Sequence, residues 1–109
     1  HKPRIFLYLH RPNCPDTAAY DRGLFAQKSI KLLLAQMVPV RLERNPGDVL
    51  QVFGDRNQPQ LVRFEGPPLM LVLTPELHVI ERLEGSRVDE KQFTTYVHPT
   101  SRPAAEGSP

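Results

Sequence analysis

Short apolar runs, separated by Pro, Gly and polar clusters, set the pattern of this chain. Ile5-Phe6-Leu7-Tyr8-Leu9 is continuously apolar with aromatic and β-branched members. It is too short for a helix and predicts a buried strand. Arg11-Pro12-Asn13-Cys14-Pro15 breaks the run, and Pro15 suits the first position of a helix, where a missing N–H loses no partner. A helix is predicted over residues 15–36, with Ala18, Phe25, Ile30, Leu33 and Leu34 as its apolar positions. Gly23 lies inside it at a cost of about 1 kcal/mol relative to Ala, so a break is expected there, with a second segment over 27–36.

Residues from Val38 to Leu42 alternate and predict a second strand. Asn45-Pro46-Gly47 is turn chemistry, and Asp48 is placed to cap a short helix reaching about Phe53. Residues 54–59 read as a loop and 60–64 as a short extended piece. Leu69 to Leu73 is the most apolar run of the chain. After a turn at Thr74-Pro75-Glu76, His78 to Leu83 predicts its hairpin partner. Val88 to Val97 predicts a last amphipathic helix, with Asp89 and Glu90 in the turn where the helix dipole favours acids. Residues 98–109 carry three prolines and little apolar content, which predicts a disordered tail after a domain spanning 1–97. The order β-α-β-α-β-β-α implies an α/β fold: a right-handed parallel β-α-β unit and an antiparallel hairpin in one central mixed sheet, with helices on both faces.

Composition narrows the function classes. A length of 109 residues fits one domain. The net charge of +2, with arginines spread along the chain, gives no nucleic-acid footprint. No apolar run approaches the roughly 20 residues of a membrane span, so no membrane insertion of this segment is expected. The first residue is His1 rather than Met, as expected of a processed or excised piece or of a tag remnant. His1, His10, His78 and His98 are far apart, and with one cysteine they give no metal-ligand spacing. Nucleophile-elbow, phosphate-loop and paired-carboxylate motifs are missing. Neither a hydrolase nor a nucleotide-binding reading is supported, and no cofactor is expected.

The candidate chemistry is at Cys14. A thiol at a helix N-terminus faces unpaired N–H groups and the positive end of the dipole, which favour the thiolate. Thr17 is placed to add a hydroxyl hydrogen bond, while the Asp16 carboxylate opposes ionisation or serves simply as an acid in the first turn of the helix. His10 and Arg11 are near enough in sequence to favour the thiolate, or are solvated strand-end residues. The other reading of Cys14 is a small buried hydrophobe.

The same residues carry a resemblance. Lys2-Pro3-Arg4 leading into Ile5 to Leu9, Cys14-Pro15-Asp16-Thr17, Phe25, Val38-Pro39-Val40, Glu65-Gly66-Pro67-Pro68 before Leu69 to Leu73, and Leu83-Glu84-Gly85 follow one another as in thioredoxin-like domains. The chain resembles bacterial members of that family over residues 2–97, with Cys-x-x-Thr where most carry Cys-x-x-Cys. It is similar to domains whose hairpin reads P-L-x-V-F-L-T-P, and to the periplasmic C-terminal domain of the bacterial transmembrane disulfide reductase. The resemblance implies a thioredoxin-like fold and a cis proline at Pro68. It also implies a substrate groove at Pro12, Asn13, Pro67 and Pro68, and a periplasmic or secreted setting. The departures are Thr17 for the second cysteine, Tyr8 for the buried acid and Asn13 for the preceding Trp. Two functions follow as expectations. One is thiol-disulfide exchange or mixed-disulfide formation at Cys14, with a protein thiol or glutathione as partner. The other is a redox-inactive binding or adaptor module, with the adaptor domains of this fold in ubiquitin-pathway proteins as a further comparison.

Overall fold

The computed structural model describes residues 3–53, 58–85 and 87–97. The predicted strands starting at residues 5, 38, 69 and 78 meet in one four-stranded sheet. Strand β1 (Ile5–His10) pairs in parallel with β2 (Val38–Glu43), Ile5 opposite Val38. On its other side β1 pairs antiparallel with β5 (Leu69–Leu73), which pairs in turn with β6 (Val79–Glu84). The order is β2-β1-β5-β6. The inner strands β1 and β5 are covered on both faces, which is why both read as unbroken apolar runs. Strand β2 is an edge. The Val38 N–H donates to the Arg4 carbonyl just before β1 and the Arg44 N–H to the His10 carbonyl at its end, each at 2.8 Å.

The long helix breaks at Gly23, as its sequence predicts. Helix α1 is Pro15–Arg22, a single 3₁₀ turn follows at Leu24–Ala26, and helix α2 is Lys28–Leu34. The last helix, α3 (Glu90–Val97), opens with Asp89 Oδ1 accepting the Gln92 N–H at 2.8 Å, which satisfies an otherwise unpaired first-turn donor. These helices lie on one face of the sheet. Phe6, Tyr8, Met70, Val72 and Leu83 pack there against Tyr20, Leu24, Ile30, Leu33, Phe93 and Val97.

The second face corrects the sequence reading. Residues 49–53 are a strand, not a helix: β3 (Val49–Phe53) pairs antiparallel with β4 (Pro59–Arg63) as a separate two-stranded sheet. The Asp48 carboxylate does not cap a helix. It accepts the Asn45 N–H at 2.9 Å and closes the turn. Val49, Val52 and Phe53 then follow their β preference. Val52, Val62 and Phe64 bury themselves against Leu7, Leu9, Leu69, Leu71 and Leu73. A hairpin layer thus stands where helices were expected on both faces. Among the described residues, no helix is long and apolar enough to cross a membrane. The expected tail at 98–109 and most of the expected loop at 54–59 lie outside the described residues.

Candidate functional site around Cys14

Strand β1 ends at His10, and the chain must turn within four residues to start α1. Asn13 makes the turn at φ 51°, a left-handed conformation that Asn tolerates better than most residues. Pro12 and Asn13 are exposed. Cys14 follows in extended geometry (φ −79°, ψ 120°) as the residue before the helix, with Pro15 in the first turn. Its carbonyl accepts the Ala18 N–H at 3.2 Å, so its side chain stands at the helix N-terminus.

Cys14 is only 6% exposed. Burial acts to raise its pKa. The Thr17 N–H, the Thr17 hydroxyl, the Asp16 N–H and the Arg11 guanidinium more than offset this, and the thiol lies below its ordinary value. Asp16 therefore acts on the sulfur through its main chain, while its carboxylate charge is felt at Tyr20.

Arg11 joins two predicted parts of the site. Its Nε donates to the Gly66 carbonyl at 3.1 Å, and a terminal nitrogen reaches Cys14 Sγ at 3.7 Å. The Gly66-Pro67-Pro68 segment is thus tied to the cysteine turn through one guanidinium. Pro67 is exposed and Pro68 is buried. The cis proline expected at Pro68 is not found: no cis peptide bond occurs among the described residues. Gly66 at φ 122° supplies the change of direction instead, in a conformation that glycine adopts without a Cβ penalty.

A pair of hydroxyls is buried between β1 and α1. Thr17 is buried at 7% exposure, and its Oγ1 is 3.0 Å from the Tyr8 hydroxyl. Burial pushes the Tyr8 phenol up to about 12, against the Thr17 hydrogen bond and the Arg41 charge. Tyr8 is a neutral phenol at ordinary pH. His10 does not reach the sulfur by any hydrogen bond in the structure; its Nδ1 pairs with the Arg11 carbonyl at 2.8 Å.

Sequence reading brought out Cys14 and Thr17, which the fold does bring together. Of the two readings of Arg11, which lies three residues before Cys14, the 3.7 Å contact to the sulfur favours the thiolate partner over a solvated strand-end residue. It placed no role on Tyr8, because only tertiary packing sets β1 beside α1. A cleft of about 170 Å³ lined by Phe6, Tyr8, Phe25, Leu34, Pro39, Val40 and Arg41 opens toward β2. Cys14 is not among its lining residues, so the cleft is separate from the thiol. Among the described residues, no group of three or more His, Cys, Asp or Glu is placed to hold a metal ion.

No protein-family model matches the sequence, and no curated protein matches it. Among solved structures, the chain is similar to a thioredoxin from Thermus thermophilus determined in solution. The identity is 18% and the TM-score 0.62, over 96% of this chain and 81% of that one. That likeness, with a central mixed sheet of order β2-β1-β5-β6 and the helix opening at Cys14, gives the chain a thioredoxin-like fold.

Proposed function

We propose that this chain is a one-cysteine thiol-exchange domain. The Cys14 thiolate attacks a disulfide R–S–S–R′. A Cys14–S–S–R bond forms, the R–S–S–R′ bond breaks, and R′–S⁻ leaves and takes a proton from water. Thr17 stands where a second cysteine would resolve the mixed disulfide. Release therefore requires an external thiol, from glutathione or from a partner protein. The exposed Pro12, Asn13 and Pro67 supply the groove in which the partner segment lies, while Pro68, expected to line it, is fully buried and takes no part.

The observation that carries this reading is the Arg11 guanidinium 3.7 Å from a sulfur that stands at the N-terminus of α1. Such an environment favours the nucleophilic form. A second reading, a redox-inactive binding module, is favoured by the 6% exposure of Cys14. Alkylation rate against pH, followed by incubation with oxidised glutathione and intact mass measurement, separates the two. Exchange chemistry predicts a rate midpoint below the free-thiol value of about 8.5 and the gain of one glutathione. If the folded protein stays inert at pH 8 while the unfolded chain alkylates, the binding module replaces the exchange reading.

A further inference from the structure

The cleft beside β2 has no part in the thiol site, and its shape follows from where the helices stop. After the break at Gly23, Phe25 packs against two rings of β1. They meet nearly at right angles, at 6.2 Å and 74° for Phe6 and at 5.4 Å and 82° for Tyr8. Leu34, at the end of α2, is the last wall on the helical side. Pro39 and Arg41 of β2 lie opposite Phe6 and Tyr8 in the parallel register, and so share their face of the sheet. Pro39 and Arg41 are exposed, and no helix is laid over them. A half-open space of about 170 Å³ is left. An apolar cavity of about 150 Å³ is enough to hold benzene, so the cleft has room for one aromatic ring. Its ring-built walls suit such a guest, because aromatic groups pair edge to face or offset.

The charge of the cleft selects among such guests. Arg41 is the one charged side chain in its lining. The guanidinium is 5.2 Å from the centre of the Tyr8 ring and 6.0 Å from that of Phe25. Asp21 fixes it from α1, accepting one hydrogen bond from each terminal nitrogen at 3.1 and 2.6 Å. Of the five N–H groups of a guanidinium, two go to Asp21, and among the described residues Arg41 makes no other hydrogen bond, so three remain for a further acceptor. Asp21 itself does not line the cleft, so the charge presented inward is positive. The other polar group in the lining, the Tyr8 hydroxyl, is already paired with Thr17. We propose that this cleft binds a small aromatic carboxylate. The ring lies against Phe6, Phe25 and Pro39, and the carboxylate accepts N–H groups of Arg41 that Asp21 leaves unused. A planar guanidinium, always charged and already oriented, suits that task. Binding is non-covalent and draws nothing from Cys14, so it stands apart from the exchange reading.

The test titrates the isotope-labelled full chain with sodium benzoate and follows its amide signals. Benzyl alcohol is the arm with a ring and no charge, and acetate the arm with a carboxylate and no ring. Benzoate is expected to shift the signals of Phe25, Leu34 and Val40 saturably, with a Kd on the order of 1 mM. Benzyl alcohol is expected to bind about tenfold more weakly, and acetate not measurably. Arg41→Gln should weaken benzoate about tenfold and leave benzyl alcohol where it was. Arg41 is exposed, so this variant keeps the fold. Cys14→Ser should bind benzoate as the wild type does. The proposal is overturned if benzoate gives no saturable shifts at these residues, or if benzyl alcohol binds as tightly as benzoate. Acetate matching benzoate overturns it too, as the mark of a surface anion contact without a ring site. So does a benzoate preference that survives Arg41→Gln, or a loss of benzoate binding in folded Cys14→Ser, which would put the ligand at the thiol.

Discussion

The helical face and the hairpin face of the sheet are filled with different chemistry. On the helical face, rings meet edge to face: Phe6 against Phe93 at 5.3 Å, Tyr8 against Phe25 at 5.4 Å and Phe25 against Phe93 at 6.1 Å. Two of its rings carry hydroxyls that find partners inside. Tyr8 pairs with Thr17, and Tyr20 donates to the Gly85 carbonyl at 2.8 Å while accepting the Val88 N–H at 3.0 Å. On the hairpin face the buried set is mostly Leu and Val, with Phe64 as its one buried ring. Burial of that kind is strong but not directional. The aromatic and hydroxyl contacts are directional, so the helical face is the one that fixes where α1 begins and where Cys14 sits.

The largest effect that sharpens this comparison comes from emptying each face in turn. Phe93 is fully buried and touches both Phe6 and Phe25. Phe93→Ala is expected to cost about 3–5 kcal/mol, and Leu71→Ala on the hairpin face about 2–5 kcal/mol. Urea unfolding measures both. The distinction is in the thiol: in the folded fraction, Leu71→Ala should leave the Cys14 midpoint where it was. A shift of about one pH unit, a tenfold change in the ionisation constant, would show that the hairpin face also positions the site.

An intermediate effect is expected at the polar anchor of the helical face. Tyr20→Phe keeps the ring and strips the hydroxyl that joins α1 to the β6–α3 connection. A buried Val88 N–H then loses its partner, and a loss of about 1–3 kcal/mol is expected. Thermal denaturation reads it, and an unchanged melting temperature would count against a directional role for that contact.

The smallest effect lies at the rim. Asp21 accepts a two-pronged ion pair from Arg41, at 2.6 and 3.1 Å. The Arg41 hydrogen bond holds the Asp21 carboxyl below its usual range. A carboxyl lowered by folding adds stability above its unfolded pKa of about 3.9 and loses it as pH falls through the folded value. Both side chains are more than two-fifths exposed, so solvent screening leaves only a few tenths of a kcal/mol. The urea midpoints of wild type and Asp21→Asn should differ slightly at pH 7 and converge as pH falls through the folded-state pKa, which lies below the ordinary carboxyl value.

What the sequence made legible follows the same division. The runs at Ile5 and Leu69 announce themselves because inner strands are apolar on both faces. Pro15 and Gly23 mark one helix's start and its break. The hairpin did not announce itself. Asp48 before Val49 is also the pattern of a helix cap, and exposed Gln51 and Gln60 dilute the alternation of β3 and β4. The choice between cap and turn was made by Asn45, three residues back, whose N–H claims the carboxylate. At the site, Cys14 and Thr17 are neighbours on one helix turn and could be paired by eye. Tyr8 reaches Thr17 only because β1 packs under α1, and Arg11 reaches Gly66 across 55 positions of sequence. Contacts of that range have no local signature.

Strand β2 has a further consequence, for how copies of the chain meet in a crowded solution. Because Val38 and Arg44 turn their N–H groups toward β1, the alternation of the strand turns Pro39, Arg41 and Glu43 outward. Pro39 has no N–H to give, so its outward position costs the sheet no bond and leaves a gap in the row of donors that another strand would seek. Arg41 and Glu43, two residues apart and so on the same face, add charge beside the remaining donors. An edge that carries Val38, Val40 and Leu42, and that would otherwise template sheet extension from one molecule to the next, is thereby blunted against aggregation.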